Sequence, residues 1–95
     1  MKDVKTKPQI DFTNLFNQQR KEAPLTIKIA LREALEIFLE DPTADVLRNH
    51  VLSVPGKKYF GIWSIDVTSD WRALYRKEGE RIIFIALGTH DQLYK

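Results

Sequence analysis

Apolar positions along the chain follow two different periods. From Leu25 to Glu40 they recur at helical spacing: Ile27, Leu31, Ala34, Leu35 and Phe38 stand at i, i+4, i+7, i+8 and i+11 and form one stripe. Lys28, Arg32, Glu33, Glu36 and Glu40 fall mostly on the remaining surface, and Asp41-Pro42 stops the pattern. From Ile62 onward the pattern is that of strands. The runs Ile62 to Val67 and Trp71 to Tyr75 are rich in β-branched and aromatic residues and flank the turn cluster Thr68-Ser69-Asp70, the sequence form of a β-hairpin. A third run, Arg81 to Leu87, follows Lys77-Glu78-Gly79-Glu80, whose glycine supplies a second turn. Connections this short require antiparallel neighbours, because parallel strands need crossovers of a dozen residues or more. Strict alternation puts Trp71, Ala73 and Tyr75 on one face of the second strand and Asp70, Arg72, Leu74 and Arg76 on the other. In the third it sets Ile83, Ile85 and Leu87 against Ile82, Phe84 and Ala86, apolar on both faces, so this strand is expected at the centre of the sheet.

The remaining stretches are weaker. Met1 to Lys7 is polar and aperiodic, an arm or a strand lead-in, and Pro8 to Phe12 reads as a short edge strand, where proline is tolerated. Thr13 or Asn14 caps a first helix to about Glu22, with Phe12, Leu15, Phe16 and Gln19 inward, and Ala23-Pro24 interrupts it. Asp45 to Leu52 is compatible with a helical turn carrying Leu47 inward, Val54 to Lys58 is a loop, and Gly88 to Lys95 is a short tail. The expectation is one α+β domain over residues 1–95, ordered β-α-α-β-β-β, with two helices packed on a three- to four-stranded antiparallel sheet.

Composition narrows the function classes. With 43% hydrophobic and 29% charged residues and no apolar run of membrane-spanning length, the chain reads as a soluble protein that is not exported. No cysteine is present, which excludes disulfides and thiolate chemistry and suits a reducing cytoplasm. The two histidines show no metal-ligand spacing, so neither a metal nor a cofactor is expected. Net charge is +2, and the cations cluster: Lys2, Lys5 and Lys7, then Lys57 and Lys58, then Arg72, Arg76, Lys77 and Arg81 along the meander. The acids concentrate between Glu33 and Asp45, so an anionic partner would meet the sheet side.

Taken singly, the polar residues of the meander have ordinary explanations: Asp66 and Asp70 suit turns, Trp71 and Tyr75 suit a core, and His50 and His90 suit a surface. Together they are the parts of metal-independent RNA cleavage. That reaction needs a base for the ribose 2′-OH, an acid for the leaving 5′-oxygen and a cation for the charge on phosphorus. Histidine suits both proton roles, and aromatic rings stack on splayed bases.

Leu47-Arg48-Asn49-His50, the run Ser64 to Tyr75 with its D-W-R-x-L-Y strand, and Gly88-Thr89-His90-Asp91-Gln92-Leu93-Tyr94 resemble the RelE superfamily of bacterial toxins, most closely its YafQ-like branch. The resemblance implies a compact domain of two helices on an antiparallel sheet. It further implies an endoribonuclease that cuts mRNA on the ribosome, and a cognate antitoxin that neutralises it. Position by position, His50, Asp70, Trp71, His90 and Tyr94 match residues of the branch's site, and Arg72 falls where RelE has a strand arginine. Asp66 stands where the YafQ-like prototype has a further histidine. The resulting candidates are His50, Asp66, Asp70, Arg72 and His90 for catalysis, and Trp71, Tyr94, Lys57, Lys58 and Arg76 for binding RNA. The same superfamily includes ParE-like inhibitors of DNA gyrase, so a non-enzymatic binding protein is the alternative.

Overall fold

The helical stripe folds as its spacing predicts. In a computed structural model, which describes residues 9–94, α2 runs Leu25–Glu40 and buries Ile27, Leu31, Ala34 and Phe38, with Leu35 partly covered. Asp41 ends it, and the Asp41 carboxylate accepts from both the backbone N–H and the hydroxyl of Thr43 in a side-chain-stabilised turn. The expected arm Met1 to Lys7, and Pro8, lie outside the described residues.

Ahead of α2, β1 (Gln9–Phe12) leads into α1 (Asn14–Glu22), and Thr13 is the N-cap, its hydroxyl accepting from the Phe16 N–H at 3.1 Å. Phe16 is buried, whereas Leu15 stays 48% exposed. After α2 a single 3₁₀ turn, Asp45–Leu47, buries Leu47, and the chain enters β2 (His50–Val51). The hairpin and third strand are β3 (Trp63–Asp66), β4 (Trp71–Glu78) and β5 (Arg81–Thr89), with Gly79 at φ 61 in the β4–β5 turn. Of the expected tail from Gly88 to Lys95, the described residues close β5 and form a third, five-residue helix, α3 (His90–Tyr94).

The α+β architecture is as expected, but the sheet is wider. Five strands lie in the order β1-β5-β4-β3-β2. The chain between β1 and β5 is long enough to cross over, so these two pair in parallel, while every other pairing is antiparallel. The strand beyond the expected four, β2, pairs only two residues, His50 with Ser64 and Val51 with Trp63, too few to leave a periodic signal in the sequence.

Alternation holds along β4 but not along β5. Leu74 pairs with Ala86 and Tyr75 with Phe84, so Ile85 is an extra residue and β5 bulges there. Past the bulge every side chain changes face. Leu87 therefore joins Ile82 and Phe84 beneath the helices, and Ala86 joins Leu74 on the opposite face, correcting the strict grouping of the sequence pattern. On the helix side Phe38, Tyr75 and Phe84 form an aromatic triangle with centroids 5.1 to 5.6 Å apart, each buried ring contributing about 1.5–3 kcal/mol.

β1 covers only the first half of β5. Beyond it α1 serves the edge: the Thr13 N–H donates to the Phe84 carbonyl, the Thr13 hydroxyl to the Ile85 carbonyl, and the Leu87 N–H to Gln19 Oε1. The bulge is thus satisfied by the Thr13 backbone and the Thr13 and Gln19 side chains rather than by a strand. The helices cover one face of the sheet. On the other, the 52–62 loop and α3 rest on a smaller cluster of Leu74, Ala86 and Leu93 with Leu52, Tyr59 and Ile62.

Candidate functional site

Between that loop and α3 the open face of the sheet is a cleft of ≈ 340 Å³. Strand register decides what enters it. His50 pairs with Ser64, Ser64 with Leu74, and Asp66 with Arg72, so these side chains share the face turned away from α1 and α2. His50, Asp66, Arg72, His90, Tyr94 and Lys57 line the cleft, six of the ten residues singled out in the sequence.

The other four lie elsewhere. Trp71 packs against the helix-side core, because it stands one residue from Arg72 on an alternating strand. Asp70 is exposed in the β3–β4 turn and contributes its backbone carbonyl, which accepts from the His90 N–H at 2.9 Å. Arg76 is paired with Glu78 at 2.8 Å further along β4. Lys58 lies over the Tyr59 ring, 5.3 Å from its centroid, outside the cleft lining.

His50 is held from behind. Its Nδ1 lies 2.7 Å from the Arg48 carbonyl oxygen, and since a carbonyl can only accept, Nδ1 carries the proton. In the neutral ring Nε2 is then the basic atom. Arg48 takes φ 47 and ψ 47, a left-handed conformation that a non-glycine residue adopts at a cost of about 1–2 kcal/mol. The segment is anchored by Asn49, whose Nδ2 donates to the Pro42 carbonyl at 3.0 Å and whose Oδ1 accepts from the Tyr75 hydroxyl at 2.8 Å. Burial raises the pKa of the Tyr75 phenol, the Asn49 hydrogen bond opposing in part, so Tyr75 remains a neutral donor.

His90 is held by α3. Thr89 and Gln92 form a reciprocal capping box: the Gln92 N–H donates to Thr89 Oγ1 at 3.2 Å and the Thr89 N–H to Gln92 Oε1 at 2.9 Å. The Thr-x-x-Gln spacing is present in the sequence, and it is the signal that distinguishes a helix start from a tail. The His90 ring stands edge-on to Tyr94, with centroids 4.5 Å apart, and its Nδ1 is 3.9 Å from the Asp91 carboxylate. Tyr94 in turn ties α3 to the sheet through Ser64 Oγ at 3.2 Å. Gly88 packs closely beneath: a Cβ there would lie 3.0 Å from Gln92 Oε1 and 3.4 Å from Leu93.

Asp66 sits between two arginines. Its Oδ1 is 3.1 Å from Arg72 Nε and its Oδ2 is 3.6 Å from Arg48 Nε. Arg72 also sends Nη1 to the carbonyls of Thr68, Ser69 and Trp71 at 3.0 to 3.1 Å, bracing the turn that receives His90. Arg48, Tyr59 and Phe60 line the cleft without having been singled out as site residues. Arg48 belongs to the Leu47 to His50 run, but nothing local marks the left-handed turn that brings it in. Among the described residues, three cations, Arg48, Lys57 and Arg72, against the carboxylate of Asp66 leave the cleft positive. Among the described residues no group of histidine, aspartate or glutamate side chains is placed to hold a metal, and no helix is long and apolar enough to cross a membrane.

Comparison with known proteins bears on both fold and site. A ParE-like toxin domain matches residues 48–94, the segment that carries every residue lining the cleft. The fold is that of YafQ from E. coli strain BL21(DE3), with a TM-score of 0.74 at 20% identity over 93% of this chain and 99% of that one. A toxin from Helicobacter pylori, solved as a copper-bound mutant, aligns with a TM-score of 0.70 at 16% identity over 92% and 99%. The RelBE2 toxin–antitoxin complex of Mycobacterium tuberculosis contains a chain with a TM-score of 0.67 at 18% identity over 90% and 100%. No curated protein matches the sequence.

Proposed function

We propose that this chain, with the fold of the YafQ and RelE toxins and a ParE-like toxin domain over its cleft-bearing segment, is the toxin of a type II toxin–antitoxin pair. Its activity is metal-independent cleavage of mRNA on the ribosome, its partner a cognate antitoxin, and its place the cytoplasm where ribosomes work. The observation that carries this reading is His50, whose Nδ1 is committed to the Arg48 carbonyl in a positive cleft that also holds His90.

In the reaction His50 Nε2 takes the proton from a ribose 2′-OH as that oxygen attacks the adjacent phosphorus. The P–O5′ bond breaks, His90 in its protonated form delivers a proton to the departing 5′-oxygen, and a 2′,3′-cyclic phosphate remains. The Asp91 carboxylate, 3.9 Å from His90 Nδ1, is the counter-charge nearest that protonated ring. Cations in the cleft meet the charge that grows on the phosphate, and Tyr94 and Lys57 shape the nucleotide pocket. Asp66 orients the arginines, while Asp70 acts through its backbone.

The test is growth after induced expression, wild type against His90→Ala and His50→Ala, with primer extension on a translated message. Arrest with cuts inside codons for the wild type alone, reduced at least ~100-fold in either variant, is expected for a pair that shares proton transfer. The ParE-like match favours a second reading, inhibition of DNA gyrase without RNA cleavage. Arrest with intact mRNA would exclude cleavage and favour it, although an inhibitor has no use for two histidines in one cleft.

A further inference from the structure

Two arginines meet the carboxylate of Asp66, and they are not equivalent. Arg72 is 13% exposed, and its Nε is bonded to Asp66. Its Nη1 serves three carbonyls of the 68–71 turn. Those bonds fix the guanidinium plane, and the carboxylate neutralises its charge. A group so committed must give up part-buried hydrogen bonds to turn toward a ligand, at about 1.5–3 kcal/mol for each bond made by a charged group. Arg48 is 73% exposed, lines the same cleft, and its contact to Asp66 Oδ2 is 3.6 Å, too long for a hydrogen bond.

We propose that Arg48 is the phosphate-binding cation of the cleft and that the Arg72–Asp66 pair is its fixed support. Resting on the reading as a ribonuclease, this deepens it by assigning the residue that grips the scissile phosphodiester. With the cleft empty, Asp66 holds Arg48 loosely. A phosphate that enters between His50 and His90 offers a closer anion and draws the guanidinium off the carboxylate, so only a weak, exposed contact is given up. The left-handed backbone at Arg48 serves both ends of the residue: its carbonyl turns to His50 Nδ1 while its side chain lies over Asp66. One residue thereby sets the tautomer of the base and presents the charge for the group that the base's substrate attacks. Arg72 works instead through the turn, whose Asp70 carbonyl seats His90.

The backbone conformation supplies a clean test. Glycine adopts the left-handed region freely, so Arg48→Gly keeps the backbone carbonyl to His50 while removing the side chain and its guanidinium. Its melting temperature should stay within a few degrees of wild type, while single-turnover cleavage of a translated message should fall by about 100- to 1,000-fold, the loss typical when one group stabilising a transition-state anion is removed. Cleavage by Arg48→Gly within about threefold of wild type would overturn the proposal and leave the ribonuclease reading intact.

A second measurement stands apart from activity. The arginine Nε–H resonances of the wild-type protein would be followed by NMR during titration with a 2′-O-methyl oligoribonucleotide, which lacks the attacking hydroxyl. The Arg48 resonance is expected to shift and saturate while that of Arg72 holds. Movement of Arg72 with Arg48 unchanged, or of neither, would overturn the assignment even if the wild type proved unable to cut RNA.

Discussion

Tyr75 illustrates how one side chain can bind the core to the site. Its ring lies in the aromatic triangle with Phe38 and Phe84, and its hydroxyl reaches Asn49, next to His50. Replacing Tyr75 by Phe keeps the ring and strands Asn49 Oδ1, a loss of about 1 kcal/mol near neutral pH. The advantage of the tyrosine shrinks in alkali. Because burial raises the phenol pKa above its ordinary value of 10.0, the folded state resists ionisation that the unfolded chain undergoes. The stabilisation is complete below pH 10 and is lost as pH rises through the folded pKa. Urea unfolding at pH 7 and at pH 11 should therefore show Tyr75→Phe weaker than wild type at the first pH, with the gap narrowed at the second. A gap of constant size would mean that the phenol is not protected.

Among the elements, α3 is the smallest and depends most on its neighbours. Five residues cannot hold a helix by propensity, so the capping box, the Tyr94–Ser64 contact and the seat over Gly88 do so. Gly88→Ala places a methyl 3.0 Å from Gln92 Oε1. Gln92 Oε1 must give by a few tenths of an ångström while it is held by the Thr89 N–H, which strains the capping box at about 1–3 kcal/mol for an overpacked contact. Circular dichroism should show the two long helices retained, while RNA cleavage falls at least ~10-fold as His90 loses its place, since misplacing a reacting group by about an ångström costs 10²-fold. Full activity in this variant would show that α3 does not position His90. The bulge at Ile85 is the counterpart on the sheet: it turns Leu87 under the helices and leaves Ala86 and Gly88 on the cleft side, with α1 supplying the hydrogen bonds that a neighbouring strand would otherwise give.

At the scale of the whole molecule the net charge of +2 understates the field that RNA meets. The helix-side face carries Glu33, Glu36 and Glu40, whereas the cleft gathers Arg48, Lys57 and Arg72 around one carboxylate. Binding of single-stranded RNA should weaken as salt rises, each phosphate contact contributing about 0.7 to the slope of log K against log salt. Lys57→Gln should flatten that slope by about one contact and leave stability unchanged, whereas Arg76→Gln, paired with Glu78 away from the cleft, should leave the slope as it is. Equal effects from both would indicate a diffuse basic surface rather than a cleft.

Local pattern determined much of this. The 3.6-residue stripe of α2, the Thr13 cap, the turn at Gly79 and the β-branched runs of the meander each act within a few residues, so the α+β class and the two helices are legible in the sequence. So were six cleft residues: five stand in the runs that carry the resemblance, and Lys57 stands in a cluster of positive charge. Tertiary structure decided the rest. The parallel pairing of β1 with β5 joins residues some seventy positions apart, and β2 is two residues long, so neither leaves a periodic trace. The bulge at Ile85 swaps faces for the residues after it, and an apolar strand looks the same either way. Which arginine is locked and which is free depends on where Asp66 and the 68–71 carbonyls lie in space. Charge and hydrogen-bonding capacity are written in the residues, but their commitment to one partner or another is a property of the fold.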